Sequence, residues 1–256
     1  MLEIKIVIAF LIFCMALMFG LVPILARIQE EKQAWLFYGE SFAGGVFLGA
    51  GLIHLLPDAQ ASFGSSAASY PWAFAICAIS VLFLRLLEEG AHQLFAKYSA
   101  CCTYHTWLAF LLVILLSVHS ILAGVALGTE VTFAGLAIIC FAILAHKGAA
   151  AFALGIKMRQ STLTRQSMVR LLFLFSLMTP IGIVSGSVLT HFLEATSGRM
   201  AEGIFNAIAA GTFLYIAVFE KISLDGSHKL TDIPTLPRLI YFSAGLTLMA
   251  LIAIWL

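Results

Sequence analysis

The feature that most limits the fold of this chain is a series of long apolar stretches free of Asp, Glu, Lys and Arg. Eight of them recur along the sequence, each close to the roughly 20 residues that a helix needs to cross a bilayer. Since every backbone amide must be satisfied inside the bilayer, and the alternating segments of a membrane barrel do not occur, we predict helical spans. The predicted spans are residues 4–26, 41–63, 67–87, 106–128, 131–156, 170–190, 201–219 and 238–256.

The composition agrees with a membrane protein. Hydrophobic residues make up 62% of the chain and charged residues 11%, whereas a soluble domain is about half apolar and about one quarter charged. The net charge of +1 gives no basic excess that would indicate a nucleic-acid partner. We therefore expect a single all-α polytopic domain, residues 1–256, whose partner is the lipid bilayer and whose function resides among its helices.

The basic residues predict the orientation of these spans. With the N-terminus outside, 11 of the 14 Lys and Arg residues fall in inner segments, 2 in outer segments and 1 within a span. Loops on the cytoplasmic side of membrane proteins carry an excess of Lys and Arg. The sequence therefore predicts both termini on the outer side.

Three histidines lie in apolar stretches, at His54, His119 and His146, together with Asp58 and Lys147. Ionisable residues are costly in a membrane and each one is a hypothesis about function. His119 and His146 lie at matching depths on adjacent spans, so the two imidazoles can share a ligand. The alternative is a pair of core histidines that bond to backbone carbonyls.

These polar groups favour a transition metal. Imidazole nitrogens with a carboxylate and a hydroxyl suit Zn²⁺ better than Mg²⁺ or Ca²⁺. We therefore predict that His119, His146, His54, Asp58 and Ser120 contact the metal. For Ser120 the alternative is a hydrogen bond back to the preceding helical turn, as is common for serines in membrane helices.

The residues that follow the two central histidines form a repeat. His119–Gly128 and His146–Gly155 match at 5 of 10 positions with an offset of 27 residues. The short connection between the two spans makes them antiparallel, which predicts inverted repeats with a substrate site at their interface. The small residues of both segments are expected to let these two helices approach closely.

Two prolines lie within spans, at Pro57 and Pro180. Proline removes an amide donor and clashes with the preceding turn, so both positions are predicted helix breaks. His54 and Asp58 are four residues apart across Pro57 and face one side of the helix. We expect them to line the outer part of a transport path; the alternative is that they cap the break.

Five short motifs occur in order on the second, fourth, fifth, sixth and seventh predicted spans. They are His54-Leu-Leu-Pro-Asp-Ala59, His119-Ser120 with Ala126-Leu-Gly128, His146-Lys147 with Ala153-Leu-Gly155, Met178-Thr-Pro-Ile-Gly182, and Ala209-Ala-Gly-Thr-Phe-Leu-Tyr215 followed by Glu220. Along nearly the whole chain these motifs resemble those of the ZIP (Zrt/Irt-like) family of divalent metal transporters. The His-Lys pair of the fifth span is similar to the animal-type branch.

The resemblance implies a carrier that moves Zn²⁺, or a similar ion, into the cytosol by alternating access. It also implies a fixed scaffold, a smaller moving group of helices and a homodimer. The metal is then the substrate; no resident cofactor and no enzymatic activity are expected. The expected location is the plasma membrane, or the inner membrane in a bacterium. An intramembrane zinc hydrolase is the weaker alternative, because the H-E-x-x-H type of spacing is absent.

Three positions depart from the family pattern. Ala123 and Ala150 stand where members often carry glutamate, and Lys147 stands where members with paired metals carry an acid. A lysine there would repel a second cation, which predicts a single-ion site. Lys147 either replaces that second ion or extends to Asp58. The missing glutamates also motivate a second alternative, a non-transporting paralogue that senses metal or serves as a partner protein.

Further polar residues are candidates for the inner side and for the path. Six of them form a possible cytosolic metal-receiving loop: Glu88, Glu89, His92, Cys101, Cys102 and His105. The lack of C-x-x-C or H-x-H spacing favours the alternative, a solvated loop whose cysteines are acylated near the membrane. With Lys147, Asn206 and Glu202 on the seventh span are candidates to line or modulate the path.

Overall fold

All regular secondary structure in the described residues is helical. The computed structural model describes residues 2–26, 34–64, 70–97, 101–189, 195–223 and 235–254. The helices are α1 (Leu2–Leu25), α2 (Ala34–Gly49), a π-helical segment (Ala50–Leu55), α3 (Leu56–Ser62), α4 (Trp72–Lys97), α5 (Cys101–Thr129), α6 (Phe133–Gln160), α7 (Arg165–Leu189), α8 (Ala195–Ser223) and α9 (Thr235–Ile252).

Within the described ranges, 6 helical stretches are long and apolar enough to cross a membrane, judged by length and composition. They are Leu2–Leu25, Trp35–Ser62, Thr106–Thr129, Phe133–Gln160, Arg165–Val188 and Thr235–Ile252. Of the remaining helices, α4 contains Arg85, Glu88 and Glu89, and the apolar part of α8 is the shorter Gly203–Val218. The fold is therefore an all-α polytopic membrane protein, and a total of eight spans stays a prediction.

Several helices extend beyond the apolar stretches that predicted them. The second predicted span starts at residue 41, whereas α2 begins at Ala34. The charged residue that ends the apolar stretch, Glu40, lies inside the helix and pairs with Lys157 of α6 at 3.4 Å. The first charged residue therefore ends the apolar stretch in the sequence, but α2 continues through Glu40 because its charge is paired.

Basic side chains stabilise two helix ends. The amine of Lys5 on α1 is buried and donates to the carbonyl of Gly128 in the last turn of α5. Arg159 on α6 donates to the carbonyls of Pro23 and Ala26 at the end of α1. The last carbonyls of a helix have no partner within it and carry partial negative charge, so cations stabilise these ends.

The turn between α5 and α6 is short and well capped. The hydroxyl of Thr132 accepts from the backbone N–H of Gly135 at the start of α6. Glu130 accepts from the hydroxyl and backbone N–H of Thr132 and from the N–H of Val131, and these bonds lower the pKa of its carboxyl. The three-residue link makes α5 and α6 antiparallel neighbours.

Glycines do not bring α5 and α6 together, which corrects the prediction from the repeat. Gly124 packs against the carbonyl of Thr179 on α7, and Gly155 packs against the carbonyl of Gly20 on α1. At about 100° per residue, a residue nine positions after a histidine, such as Gly128 after His119, lies on the opposite face of its helix. The small faces of α5 and α6 therefore point to α7 and α1.

The glycine contacts divide the helices into two groups. Group A consists of α1, α5, α6 and α7; group B consists of α2, the π segment, α3, α4, α8 and α9. Contacts of group B glycines with backbone include Gly45 with Phe242, Gly245 with Phe42 and Gly211 with Cys77. Among the described glycines every close approach to a backbone atom stays within one group. The contact of Gly39 with group A is to a side chain, the ring of Phe152.

A substitution in the α5–α7 contact is expected to destabilise group A. A Cβ at Gly182 would collide with the carbonyl oxygen of Ile121, and overpacking of this kind costs about 1–3 kcal/mol. We expect Gly182→Val to lower the thermal denaturation midpoint in detergent by about 2–12 °C. The control is Gly90→Ala, since a Cβ at Gly90 meets nothing within 4 Å. An unchanged midpoint for Gly182→Val would contradict this packing.

Candidate metal site

The centre of the site is a pair of buried imidazoles. His119 on α5 and His146 on α6 are 7% and 3% exposed, and their Nε2 atoms lie 3.4 Å apart. Two nitrogens bound to one tetrahedral Zn²⁺ at about 2.05 Å would be about 3.35 Å apart. The two rings therefore already stand at the separation that a shared Zn²⁺ requires.

Aromatic packing holds these rings in place. Phe213 of α8 meets His119 and His146 edge-on, with ring centroids 4.8 and 5.7 Å away. Phe47 of α2 contacts Phe213, with ring centroids 5.0 Å apart. The Nδ1 atom of His146 is buried and has no hydrogen-bond partner, although ligand histidines usually donate from their second nitrogen. Phe213 of group B therefore contributes to the orientation of both rings.

The π segment presents His54 to the pair. Pro57 has no N–H to donate and its ring would clash with the carbonyl four residues earlier, and the backbone before it widens so that Leu56 N–H donates to the Gly51 carbonyl. His54 then lies with its ring centroid 6.5 Å from that of His146. π-helical turns are frequent at functional sites, and here the helix changes type where the sequence predicted a break.

Asp58 extends the row of polar groups towards solvent. Its Oδ2 lies 3.0 Å from Nδ1 of His54, out of line for a hydrogen bond. The side chain of Asp58 is 51% exposed and that of His54 is 16% exposed. Exposure thus decreases from Asp58 through His54 to the buried pair, as in a path that leads inward.

The ligand set is incomplete in this arrangement. In the described part of the chain no three His, Cys, Asp or Glu side chains converge closely enough to hold one metal ion. A tetrahedral Zn²⁺ takes four ligands, of which His119 and His146 would supply two.

Lys147 lies beside this site without a carboxylate partner. Its Nζ donates to the Ser120 hydroxyl at 2.7 Å and lies 3.9 Å from the centroid of the Phe175 ring. No carboxylate of the described residues lies within ion-pair distance of it. The alternative in which Lys147 extends to Asp58 is therefore wrong, because a hydroxyl and a ring face on neighbouring helices are closer.

Ser120 has two partners. Its hydroxyl donates to the Leu116 carbonyl at 2.6 Å, the bond to the preceding turn that the sequence left open, and accepts from Lys147. One lone pair therefore remains that it can offer to a metal ion.

The two positions where family members often carry glutamate, Ala123 and Ala150, lie among apolar side chains. Ala123 packs against a cluster that includes Ile12, Leu127 and Leu136. Ala150 is 3% exposed within the main apolar core. Neither position supplies negative charge near the imidazole pair, and a lysine follows His146 directly in the sequence.

One of three further candidates differs from expectation. The predicted break at Pro180 is wrong, because α7 continues unbroken through it; proline removes only one donor there. Asn206 lies half-buried on α8. Glu202 lies on the same helix, and its side chain is outside the described part.

The predicted inner loop is largely helix. Glu88 is buried on α4 and accepts from Arg85 and from the Tyr215 hydroxyl, both at 2.6 Å, so it holds α4 to α8. Glu89 faces solvent near Arg85. His92 lies in α4, and Cys101, Cys102 and His105 form the beginning of α5, with side chains outside the described residues. The six named residues therefore lie in two long helices, α4 and α5, rather than in a loop.

Comparison with known proteins gives the family. A profile described as ZIP zinc transporter matches residues 2–106 and 96–253. The zebrafish (Danio rerio) protein named zinc transporter ZIP1 is 27% identical, over 92% of each chain, and mouse (Mus musculus) zinc transporter ZIP2 is 28% identical, over 83% of each. Protein zntD of Dictyostelium discoideum is 40% identical over 58% of this chain, a match that spans 22% of that protein. The chain belongs to the ZIP zinc transporter family.

Proposed function

We propose that this protein carries Zn²⁺ into the cytosol by alternating access, with one ion held between His119 and His146. Membership of the family confirms zinc transport as the function and a transporter rather than an enzyme. The observation that supports the site is the 3.4 Å separation of the two Nε2 atoms in a buried position. Neutral imidazoles bind Zn²⁺ without a fixed negative charge, which lets the site empty after each passage.

The path that we propose enters at Asp58 and passes His54 before it reaches the pair. A half-exposed carboxylate can attract a cation from solvent, and an imidazole behind it can pass the ion inward. Ser120 contributes its remaining lone pair, and Asn206 and Glu202 line the path from α8.

The proposed transport movement is that of group A against group B. The close backbone contacts of the described glycines lie within each group, and each group is proposed to move as a unit while side chains exchange partners between them. We further propose eight spans in one domain with both termini outside, an inverted repeat centred on α5 and α6, a homodimer, and insertion in the plasma membrane or a bacterial inner membrane.

A flux assay with the purified protein tests this proposal. Liposomes that contain the protein should accumulate Zn²⁺ from an external solution in a saturable way, and liposomes with the His119→Ala/His146→Ala double variant should not. Parallel assays with Fe²⁺, Mn²⁺ and Cd²⁺ give the selectivity. The variant controls for leakage through the reconstituted membrane.

The second candidate is a paralogue that binds zinc but does not carry it. The absence of glutamate at Ala123 and Ala150 favours it, because no negative charge offsets a bound dication there. Its signature is stoichiometric zinc binding that depends on the histidine pair, without flux in the same liposomes. That result would replace the transport proposal.

A further inference from the structure

Side chains at the first turns of α2 bridge the two helix groups. Trp35 packs against Phe152 of α6, with ring centroids 6.3 Å apart. The same Phe152 ring lies directly on the backbone of Gly39, where a Cβ would be 2.5 Å from its edge. Here the seam between groups A and B is closed by interlocking aromatic packing.

An ion pair reinforces this contact. Nζ of Lys157 on α6 lies 3.4 Å from Oε1 of Glu40 on α2, and the two side chains are 7% and 14% exposed. Three further ion pairs lie inside group B, one between His54 and Asp58 and two within α4. The Lys157–Glu40 pair differs from these because it joins the two groups.

This contact and the half-exposed Asp58 lie on opposite sides of His54 along the chain. Glu40 precedes His54 by 14 residues, which corresponds to about 21 Å along a helix. Asp58, four residues beyond His54, is half exposed. The row of polar groups thus reaches solvent at the Asp58 end, while the contact at Glu40 lies at the other end of the same run of helix.

We propose that Glu40 and Lys157, with Trp35 and Phe152, form a latch that closes the exit side of the transport path and must open before Zn²⁺ is released. This inference rests on the proposed function, since exit and entry are defined by the proposed direction of transport. Separation of the groups carries both charges into water, where each is solvated, so the pair can open without leaving a charge buried. The ion pair has little exposure and lies beside the packed rings of Trp35 and Phe152. Such a contact is either fully made or fully broken, so the latch has two discrete states, closed and open.

Reversible cross-linking tests the latch. In protein whose five native cysteines are replaced, and whose zinc uptake is measured first, the Glu40→Cys/Lys157→Cys variant is treated with a cleavable bifunctional thiosulfonate. The matched control is Thr106→Cys/Thr162→Cys, because these two hydroxyls lie 2.8 Å apart, both within group A. Cross-linking is quantified by mass spectrometry, and uptake into liposomes is measured before treatment, after it, and after reduction.

We expect the cross-link between α2 and α6 to abolish uptake and reduction to restore it, while the cross-linked control keeps its uptake. Uptake by the cross-linked α2–α6 variant at the rate of the control would overturn the latch, as would equal loss in both variants. Absence of uptake before any cross-linking, with zinc binding retained, would instead reject the proposed function and with it the latch. A charge-swapped Glu40→Lys/Lys157→Glu variant should transport better than Glu40→Gln, which removes the carboxylate that faces Lys157. Equal uptake by the two would also count against the pair.

Discussion

Replacement of either His119 or His146 by alanine is expected to reduce zinc uptake to the background of untransfected cells. Each ring supplies one of the two nitrogens that stand 3.4 Å apart, so one substitution leaves a single buried ligand. Loss of residues that only support a metal ligand already costs about 10–100-fold in affinity, so loss of a ligand should cost at least about 100-fold. Uptake of radioactive zinc at equal surface expression measures this.

Two further variants serve as controls for this uptake experiment. Ser185→Ala removes a hydroxyl on an exposed face of α7, where it bonds only to the preceding turn among the described contacts, and should leave uptake unchanged. His54→Ala should reduce uptake without abolishing it, because His54 lies outside the pair, with its ring centroid 6.5 Å from that of His146. Normal uptake by both His119→Ala and His146→Ala would reject the site.

The histidine pair was predictable because depth in a membrane can be counted along a sequence. His119 and His146 occupy similar depths on two spans joined by a short turn, and hydrocarbon tolerates few polar groups. The same count placed His54 and Asp58 together across Pro57. In each case the argument needed only the helical repeat and the polarity of the residue.

The neighbouring helix that each helix face contacts was harder to predict. Gly124 and Gly155 lie away from the histidines on their helices, so they pack against α7 and α1. The helical period contained this information, but the similarity of the two repeat segments suggested that they pack on each other. Small residues identify a close contact without identifying its partner.

Contacts between distant helices were not predictable from one sequence. Phe213, which meets both imidazoles, is one of 21 phenylalanines, and its place in the seventh-span motif was its only distinguishing signal. Glu40 and Lys157 are separated by more than a hundred positions and pair only because α2 lies beside α6. The π segment likewise depends on how the chain relieves the clash at Pro57.

Replacement of Lys147 by methionine is expected to strengthen zinc binding at least tenfold and to slow release. The ammonium contacts Ser120 and the Phe175 ring, and no carboxylate among the described residues neutralises it. A Zn²⁺ held by the Ser120 hydroxyl would lie within about 5 Å of this ammonium. At an effective dielectric constant near 20, a single and a double positive charge at about 5 Å repel by about 7 kcal/mol. Methionine keeps an unbranched side chain of similar length and removes this repulsion.

The measurements are the dissociation constant of zinc in detergent and the initial rate of uptake in liposomes. Lys147→Arg keeps the positive charge and can still lie over the Phe175 ring, so its affinity should stay near that of the wild type. A lysine that limits affinity promotes release, and Lys147→Met should then saturate at lower zinc concentration with a lower maximal rate. If Lys147→Met and Lys147→Arg bind zinc equally well, the charge is not felt at the histidine pair, and the weak binding expected of a site without glutamate must have another cause.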